Sequence, residues 1–269
     1  LREDTNQDGR LVLSDDKIVQ SFYDTGTAES KVNKYLDADG DGLIDSTTVP
    51  PTPDETVLIG EMKPIWEAGE RLALTNPIDR KIYTWVNANH NGVVDAGEFI
   101  EFKDSEKATL RPYLRAADNN ESADIINFVR GDQVPGMRDR LLTIPSLGTQ
   151  KVWKLGDIVY STPTVVAAPR ERYDLLYGDA SYLAYFKQYK NRRQMVYVGG
   201  NDGMLHAFNA GFYNPGDDSS TPAAVEHGYF DAGAGKALGQ ELWSYVPYEL
   251  LAHLKWLTMP DYTHVYYVD

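Results

Sequence analysis

The stretch VYVGGNDGMLHAF, Val196–Phe208, contains two β-rich runs on either side of the residues Gly200-Asn201-Asp202-Gly203. Asn and Gly in so short a connection favour a tight hairpin between two strands. A third β-rich run, Glu241–Val246 (ELWSYV), follows after a segment rich in Gly, Ala and Asp at residues 210–240. The stretch Val196–Phe208 and the run Glu241–Val246 therefore predict three successive antiparallel strands.

Further β-rich runs surround these strands, at Ile158–Ala168 and His264–Val268. Short strands joined by turns in this order resemble the blades of quinoprotein-type β-propellers. A blade takes roughly 40–50 residues, so residues 149–269 can supply two or three blades and cannot close a ring. The expectation is a partial propeller, with the remaining blades elsewhere in a longer protein.

Three acidic loops lie in the first hundred residues. They are Asp4–Asp15 (DTNQDGRLVLSD, the first loop), Asp37–Asp45 (DADGDGLID, the second loop) and Asn87–Glu98 (NANHNGVVDAGE, the third loop). Each loop has oxygen-bearing side chains at positions 1, 3 and 5, a Gly at position 6 and an apolar residue at position 8, which is the pattern of the EF-hand calcium loop. The repetition predicts calcium as the bound ion.

The expected calcium ligands follow from the same pattern. Side-chain oxygens come from positions 1, 3, 5, 9 and 12, and a backbone carbonyl comes from position 7. The predicted ligands are Asp4, Asn6, Asp8, Arg10 and Asp15 in the first loop, Asp37, Asp39, Asp41, Leu43 and Asp45 in the second, and Asn87, Asn89, Asn91, Val93, Asp95 and Glu98 in the third.

The three loops differ in charge. The second has four carboxylates, the first has three, and the third has two, from Asp95 and Glu98. Because calcium affinity follows ligand charge and preorganisation, we expect the second loop to bind most tightly and the third most weakly. The alternative for each loop is an Asx-rich turn that its own side chains stabilise without an ion.

The segments around the loops suggest helices. Asn76 and Pro77 are typical of a helix start, and Ile78, Ile82 and Trp85 follow at helical spacing. Phe99 and Phe102 begin a predicted exit helix after the loop. Helices are also predicted at Asp15–Phe22, Met62–Leu74, Ala123–Val129 and Pro247–Leu257. The predicted fold class is α+β, with a helical EF-hand-like calcium-binding region before the antiparallel sheets of a partial propeller.

The predicted segments are residues 1–48 with paired calcium loops, 57–145 with the third loop in a helical region, and 149–269 with the first propeller blades. A Pro-rich linker, VPPTPDET, separates the first two. The chain begins at Leu1 without Met or a leader, so we expect a piece of a longer protein.

Composition excludes several classes of function. The net charge of −14 is unfavourable for binding nucleic acid, and the absence of Cys excludes disulfides and thiolate catalysis. No segment has the ~20 apolar residues of a membrane span. Loops of this kind match millimolar extracellular calcium, which favours a periplasmic or extracellular location.

Five segments in order resemble the PilY family of type IV pilus tip-associated proteins. They are Val129–Asp132, Leu155–Pro163, Val196–Phe208, Glu241–Pro247 and His264–Asp269, and they resemble the junction into that family's C-terminal propeller and its first part. The resemblance implies a calcium-binding adhesin or pilus biogenesis factor at the cell surface or fimbrium. Its implied partners are pilin or minor pilins, the remaining propeller chain, and host or surface ligands.

No nucleophile elbow, phosphate-binding loop or paired catalytic acids are found, so we expect no enzymatic activity. The alternative is a fragment of a quinoprotein-like propeller dehydrogenase, because the blade pattern occurs there too. Arg130-Gly131-Asp132 is an RGD tripeptide that either ends a helix, the favoured interpretation, or engages an integrin from a loop tip. His206 lies in the middle of a predicted strand, where a packed side chain is expected.

Overall fold

The computed structural model describes residues 1–144, 147–214 and 226–266. Its strands are β1 Arg10–Val12, β2 Ile18–Asp24, β3 Glu29–Tyr35, β4 Glu55–Leu58, β5 Ile82–Trp85, β6 Phe99–Glu101, β7 Leu141–Ile144, β8 Thr149–Val152, β9 Thr164–Val166, β10 Gln194–Gly200, β11 Met204–Asn214, β12 Glu226–Asp231 and β13 Glu241–Tyr245. Its helices are α1 Ala68–Leu74, α2 Lys107–Leu110, α3 Asn119–Arg130, α4 Tyr173–Tyr177, α5 Ala180–Tyr189 and α6 Leu251–Leu257.

The α+β class is confirmed, and the chain forms two compact units. The first unit contains Leu1–Glu67 and Gly211–Ala234, and the second contains Ala68–Ala210 and Gly235–Asp269. These units divide the chain at other points than the three predicted segments, whose division stays a prediction.

The first unit is built from short antiparallel sheets. Strands β2 and β3 form a long hairpin from Ile18↔Tyr35 to Asp24↔Glu29, and β4 pairs with the other edge of β3. Strand β1 pairs with β12, which also pairs with the last residues of β11. Val19 and Val32 are buried on one face of the hairpin.

The second unit contains the predicted strand succession. Strand β10 leads through the turn at Gly200–Gly203 into β11, which pairs with β10 and, antiparallel, with β13. The three-strand prediction is therefore confirmed. The sheet continues on both sides in the order β9-β10-β11-β13-β5-β6, and β5 joins β13 in parallel. The described residues form no closed barrel, and the propeller stays a prediction.

One face of this sheet packs against helices α3 and α6. A buried apolar cluster combines Ile82 from β5 and Met204 from β11 with Ile125 from α3 and Leu254 from α6, all almost completely buried. Burying a side chain of this size contributes roughly 1.5–3 kcal/mol. The sheet and the two helices thus share one core.

The helices predicted around the third loop are wrong. Asn76 does cap a helical start, since its Oδ1 accepts the N–H of Ile78 at 3.3 Å, but a single 3₁₀ turn follows. Strand β5 enters the loop, and β6 leaves it and pairs antiparallel with β5. The β5 sequence IYTW consists of β-branched and aromatic residues, which pack well on a pleated sheet, so pairing with β13 and β6 outweighs the helical spacing.

Two other predicted helices are also corrected. Residues 18–22 belong to strand β2, whose sequence IVQSFYD again favours a sheet. The helix predicted at Met62–Leu74 is shortened to α1, Ala68–Leu74. The helices predicted at Ala123–Val129 and Pro247–Leu257 are confirmed by α3 and α6.

The outer β-rich runs form less strand than predicted. Within Ile158–Ala168 only Thr164–Val166 is a strand, and it pairs with β10. In His264–Val268 the described residues 264–266 are not in a strand, and the other two lie outside the described residues.

A buried network of charges connects β11 and β13 to the segment before β5. Arg80 donates from Nε and Nη2 to the two carboxylate oxygens of Glu241, at 2.8 and 3.0 Å. His206 lies between Glu241 Oε1, 2.7 Å from its Nδ1, and the Asp202 carboxylate, 3.0 Å from its Nε2. The expectation of a packed His206 is confirmed, since its side chain is fully buried.

The two carboxylates control the charge of His206. Burial lowers the pKa of His206, but Asp202 and Glu241 outweigh it and raise this pKa to about 9. Against their burial, His206 lowers the pKa of Asp202, and Arg80 together with His206 lowers the pKa of Glu241. At neutral pH the network therefore holds an imidazolium between two carboxylates.

We expect Gly156→Ala to destabilise the protein. A Cβ at this position would lie 2.3 Å from the backbone nitrogen of Asp202, which cannot move without shifting the turn that begins β11. The overpacking should lower the free energy of unfolding by about 1–3 kcal/mol in chemical denaturation. Gly60→Ala is the control, because its Cβ meets nothing within 4 Å. Equal stability of the two variants would contradict the close approach.

We expect stability to decrease between pH 6.5 and pH 9 through His206. A folded pKa raised to about 9 means that the stabilisation is complete below the unfolded value of 6.5 and is lost as the pH rises through about 9. Burial and nearby cations lower the pKa of Lys154 to about 8, so Lys154 titrates in the same pH range. Comparing the melting temperatures of the wild type and His206→Gln at each pH separates the contribution of His206 from that of Lys154. The difference between the two proteins should shrink as the pH rises; a constant difference would show that His206 is neutral when buried.

Candidate metal centres

The three acidic loops have the same backbone shape. The residue at position 4 is left-handed in each, with φ of 59° at Gln7, 71° at Gly40 and 59° at His90. The glycine at position 6 is left-handed too, with φ of 78°, 89° and 74° in the first, second and third loops. Glycine adopts this conformation without strain, which explains its place in all three sequences.

The same hydrogen bonds close each loop around its centre. In every loop the position 1 side chain accepts the N–H of the position 6 glycine, at 2.8, 3.0 and 3.3 Å in chain order. Position 3 accepts the N–H of position 5, and position 5 accepts the N–H of position 7. These contacts fix the side chains at positions 1, 3 and 5 against the loop backbone, in the Asx-turn arrangement that calcium loops of this pattern share.

The second loop has its carboxylates closest together. Asp37, Asp39 and Asp45 each offer an oxygen within 4.8 Å of the others, and across the described residues this is the one such group of three metal-binding side chains. Three carboxylates at this separation repel one another unless a cation lies between them. The donor set is all oxygen, which suits a hard cation such as Ca²⁺.

Asp37 is the most constrained member of the group. Its side chain is fully buried, its Oδ2 accepts the Gly42 N–H at 3.0 Å and a hydrogen bond from Arg2, and its buried Oδ1 has no protein partner. Burial raises the pKa of Asp37, but the hydrogen bonds from Arg2 and Gly42 outweigh it, so the net pKa lies below its ordinary value. A buried carboxylate oxygen without a donor is costly, and a bound cation would satisfy it.

In each loop, a carboxylate at or just after the end of the loop accepts the backbone N–H of the residue at position 2. In the third loop, Glu98 accepts the N–H groups of Ala88 and Asp95 at 2.8 and 2.9 Å. In the second loop, Asp45 accepts the Ala38 N–H at 2.6 Å. These carboxylates hold the ends of their loops together.

In the first loop this role belongs to Asp16, a residue that the sequence pattern did not select. Asp16 accepts the N–H of Thr5 and of Val12 at 3.0 and 2.9 Å, at the positions that Glu98 serves in the third loop. Asp16 is almost completely buried, whereas Asp15 is exposed and accepts an amide hydrogen bond from Asn6 at 3.1 Å. Burial, with Asp4 and Asp15 nearby, raises the pKa of Asp16.

The third loop is neutral at its first three ligand positions. The amide nitrogens of Asn89 and Asn91 both donate to Asp95 Oδ2, at 2.6 and 2.8 Å. Asp95 is thus already paired within the loop. These contacts are consistent with the Asx-turn alternative for this loop, and the predicted ligands of all three loops stay predictions.

The RGD tripeptide ends a helix. Arg130 is the last residue of α3, and Gly131 follows with φ of 117° as its left-handed cap. The Arg130 guanidinium is buried and donates to the carbonyl oxygens of Phe102, Pro77, Ile78 and Arg80. Its side chain is therefore not displayed for a receptor, which supports the helix-stop interpretation.

Comparison with known proteins finds sequence similarity to type IV pilus biogenesis factors. It is 34% identical over 154 residues, 55% of its length, to the "Type IV pilus biogenesis factor PilY1 homolog" of Xylella fastidiosa (strain Temecula1 / ATCC 700964). It is 33% identical over 165 residues, 54% of its length, to the "Type IV pilus biogenesis factor PilY1" of Pseudomonas aeruginosa (strain UCBPP-PA14). A second Xylella fastidiosa homolog is 31% identical over 154 residues.

These matches confirm the resemblance to the PilY family. The chain spans about a tenth of the length of these relatives, with 10%, 12% and 8% of them covered. No family model and no solved structure matches the chain. Among the helices of the described ranges, none is both long and apolar enough to cross a membrane.

Proposed function

We propose that this protein is a calcium-binding, non-enzymatic part of a type IV pilus biogenesis factor of the PilY1 kind. The observation that supports the pilus role is the 31–34% identity to three such factors over about half of the chain. The proposed location is the cell surface or periplasm, and the proposed partners are pilin or minor pilins.

The proposed calcium role rests on the second loop above all. Three carboxylates converge there, and one of them, Asp37, has a buried oxygen without a hydrogen-bond partner. The ion would be held by Asp37, Asp39, Asp41 and Asp45 with the carbonyl of Leu43, and would neutralise the repulsion among these groups. Calcium supplies structural stabilisation in this proposal, because binding only to the folded loops shifts the folding equilibrium.

We expect Asp41→Ala to abolish binding at the second loop and to loosen residues 1–48. The change removes a ligand and the acceptor of the Leu43 N–H, 2.8 Å from Asp41 Oδ1. Asp41→Asn is the matched control, because it retains that acceptor and removes only the charge. Calorimetric titration should give no second-loop binding for Asp41→Ala and at least about tenfold weaker binding for Asp41→Asn, a loss of about 1.4 kcal/mol.

The wild-type titration also tests the ranking of the loops. We expect the second loop to bind most tightly and the third most weakly, with the weak sites near the ~10⁻⁴–10⁻³ M range of extracellular modules. A third loop that binds more tightly than the second would overturn the charge argument.

The first loop offers a matched pair of neighbouring variants. We propose Asp16 as its closing carboxylate, so Asp16→Asn should weaken first-loop binding by about tenfold or more, whereas Asp15→Asn should change it by less than about threefold. The measurement is the calcium titration of the Gly9 amide resonance, because the Gly9 N–H donates to Asp4 at the centre of this loop. A larger effect of Asp15→Asn would restore the ligand set predicted from the sequence.

The pilus role is tested in cells. A strain that lacks the parent gene should lose surface pili and surface attachment, and the wild-type gene should restore both. The gene carrying Asp41→Ala should restore them only in part. A parent protein found in the cytoplasm on fractionation, or normal piliation in the deletion strain, would refute the proposal.

A further inference from the structure

The first and second loops are neighbours because of one hairpin. The first loop leads into β2, and the second loop follows β3. Ile18↔Tyr35 is the strand pair furthest from the hairpin turn, so the two loops lie at the same end of the hairpin. The two loops also lie close together, since a Cβ added at Gly40 would lie 3.7 Å from the Cβ of Leu13. Two predicted calcium loops thus lie side by side within the first unit.

Arg2 joins the two loops directly. Its Nη1 donates to the carbonyl oxygen of Leu13, near the end of the first loop, at 3.0 Å, and to that of Asp16, the residue directly after the loop. Its Nη2 donates to Asp37 Oδ2, the position 1 carboxylate of the second loop. The Arg2 side chain is only 14% exposed, so little water competes with these contacts.

The backbone around Arg2 leaves this side chain little freedom. Residue 2 forms an isolated antiparallel bridge with Ile18, the Val19 N–H donates to Leu1 O at 2.9 Å, and the Glu3 N–H donates to Lys17 O at 3.2 Å. The Arg2 side chain is therefore fixed at both ends, at its backbone by these bonds and at its guanidinium by the three acceptors.

We propose that Arg2 couples the first and second loops, so that calcium in one loop increases the affinity of the other. This inference rests on the proposed calcium binding. An ion in the first loop orders its end, at Leu13 and Asp16, whose carbonyls hold one nitrogen of the guanidinium. The other nitrogen then keeps Asp37 in the rotamer that leaves Oδ1 free for the second ion. By linkage, an ion in the second loop favours the first equally.

Arg2 has a simpler possible role as a counter-charge that keeps Asp37 buried in the absence of calcium. The two roles make different demands on the side chain. A counter-charge needs only a positive group, which Lys also has, whereas coupling needs a planar guanidinium whose N–H groups bind both loops at once. Without the guanidinium, the loops influence each other only through the electrostatic repulsion between the two bound ions, which acts against joint binding.

The experiment is a double-mutant cycle read by NMR on the full chain. Asp8→Asn weakens the first loop while retaining an oxygen to accept the Arg10 N–H, and it is combined with Arg2→Lys. The Gly42 amide reports on the second loop, because its N–H donates to Asp37, and the Gly9 amide reports on the first. Calcium titrations then give a separate dissociation constant for each loop in all four proteins.

We expect Asp8→Asn to weaken the second loop about fivefold or more when Arg2 is present, and less than about twofold in the Arg2→Lys background. Equal effects in the two backgrounds, or no effect in either, would overturn the coupling while leaving calcium binding intact. If neither amide responds to calcium, the proposed function fails, and the coupling fails with it. If Arg2→Lys is poorly folded, Arg2→Gln replaces it, because its amide can donate hydrogen bonds but is too short to reach both loops at once.

Discussion

The ion pair of Arg80 and Glu241 is the interaction on which the second unit depends. Both side chains are almost completely buried, although they lie 161 residues apart in sequence. Arg80 also donates to the carbonyls of Val129 and Arg130 at the end of α3, and Glu241 also binds His206. One guanidinium thus links a helix end, two strands and the segment before β5. Removing either partner would leave a buried charge without compensation, which is strongly destabilising.

The centres of the acidic loops obey a more local constraint. The hydrogen bonds that shape each turn run between side chains and N–H groups within the same few residues. In this chain a strand lies next to each of the three loops, where an EF-hand has helices. An EF-hand converts ion binding into a change of interhelical angle. Hydrogen-bonded strands cannot change their relative angle in this way. An ion bound here would therefore stabilise the structure without changing its shape.

Local patterns were therefore predictable and long-range ones were not. The turn at Gly200–Gly203 and the three loop centres follow from nearby residues, and their shapes agree with the sequence. The β5 segment was mistaken for a helix because its partner, β13, lies some 160 residues away. Asp16 was missed because a count of twelve residues stops at Asp15, while the turn that follows Val12 brings the next carboxylate back to the loop. Arg2 carries no motif, and only the folded hairpin places it beside Asp37.

The position of the first two loops has a mechanical consequence. The chain enters the β2–β3 hairpin at Ile18 and leaves it at Tyr35, so tension along the chain would act on this end first and unzip the strand pairs one at a time. The two loops and the Arg2 contacts lie across the site where such unzipping begins. A cation bound at each loop would stabilise this end of the hairpin. The force needed to separate the two strands would then rise with the calcium concentration.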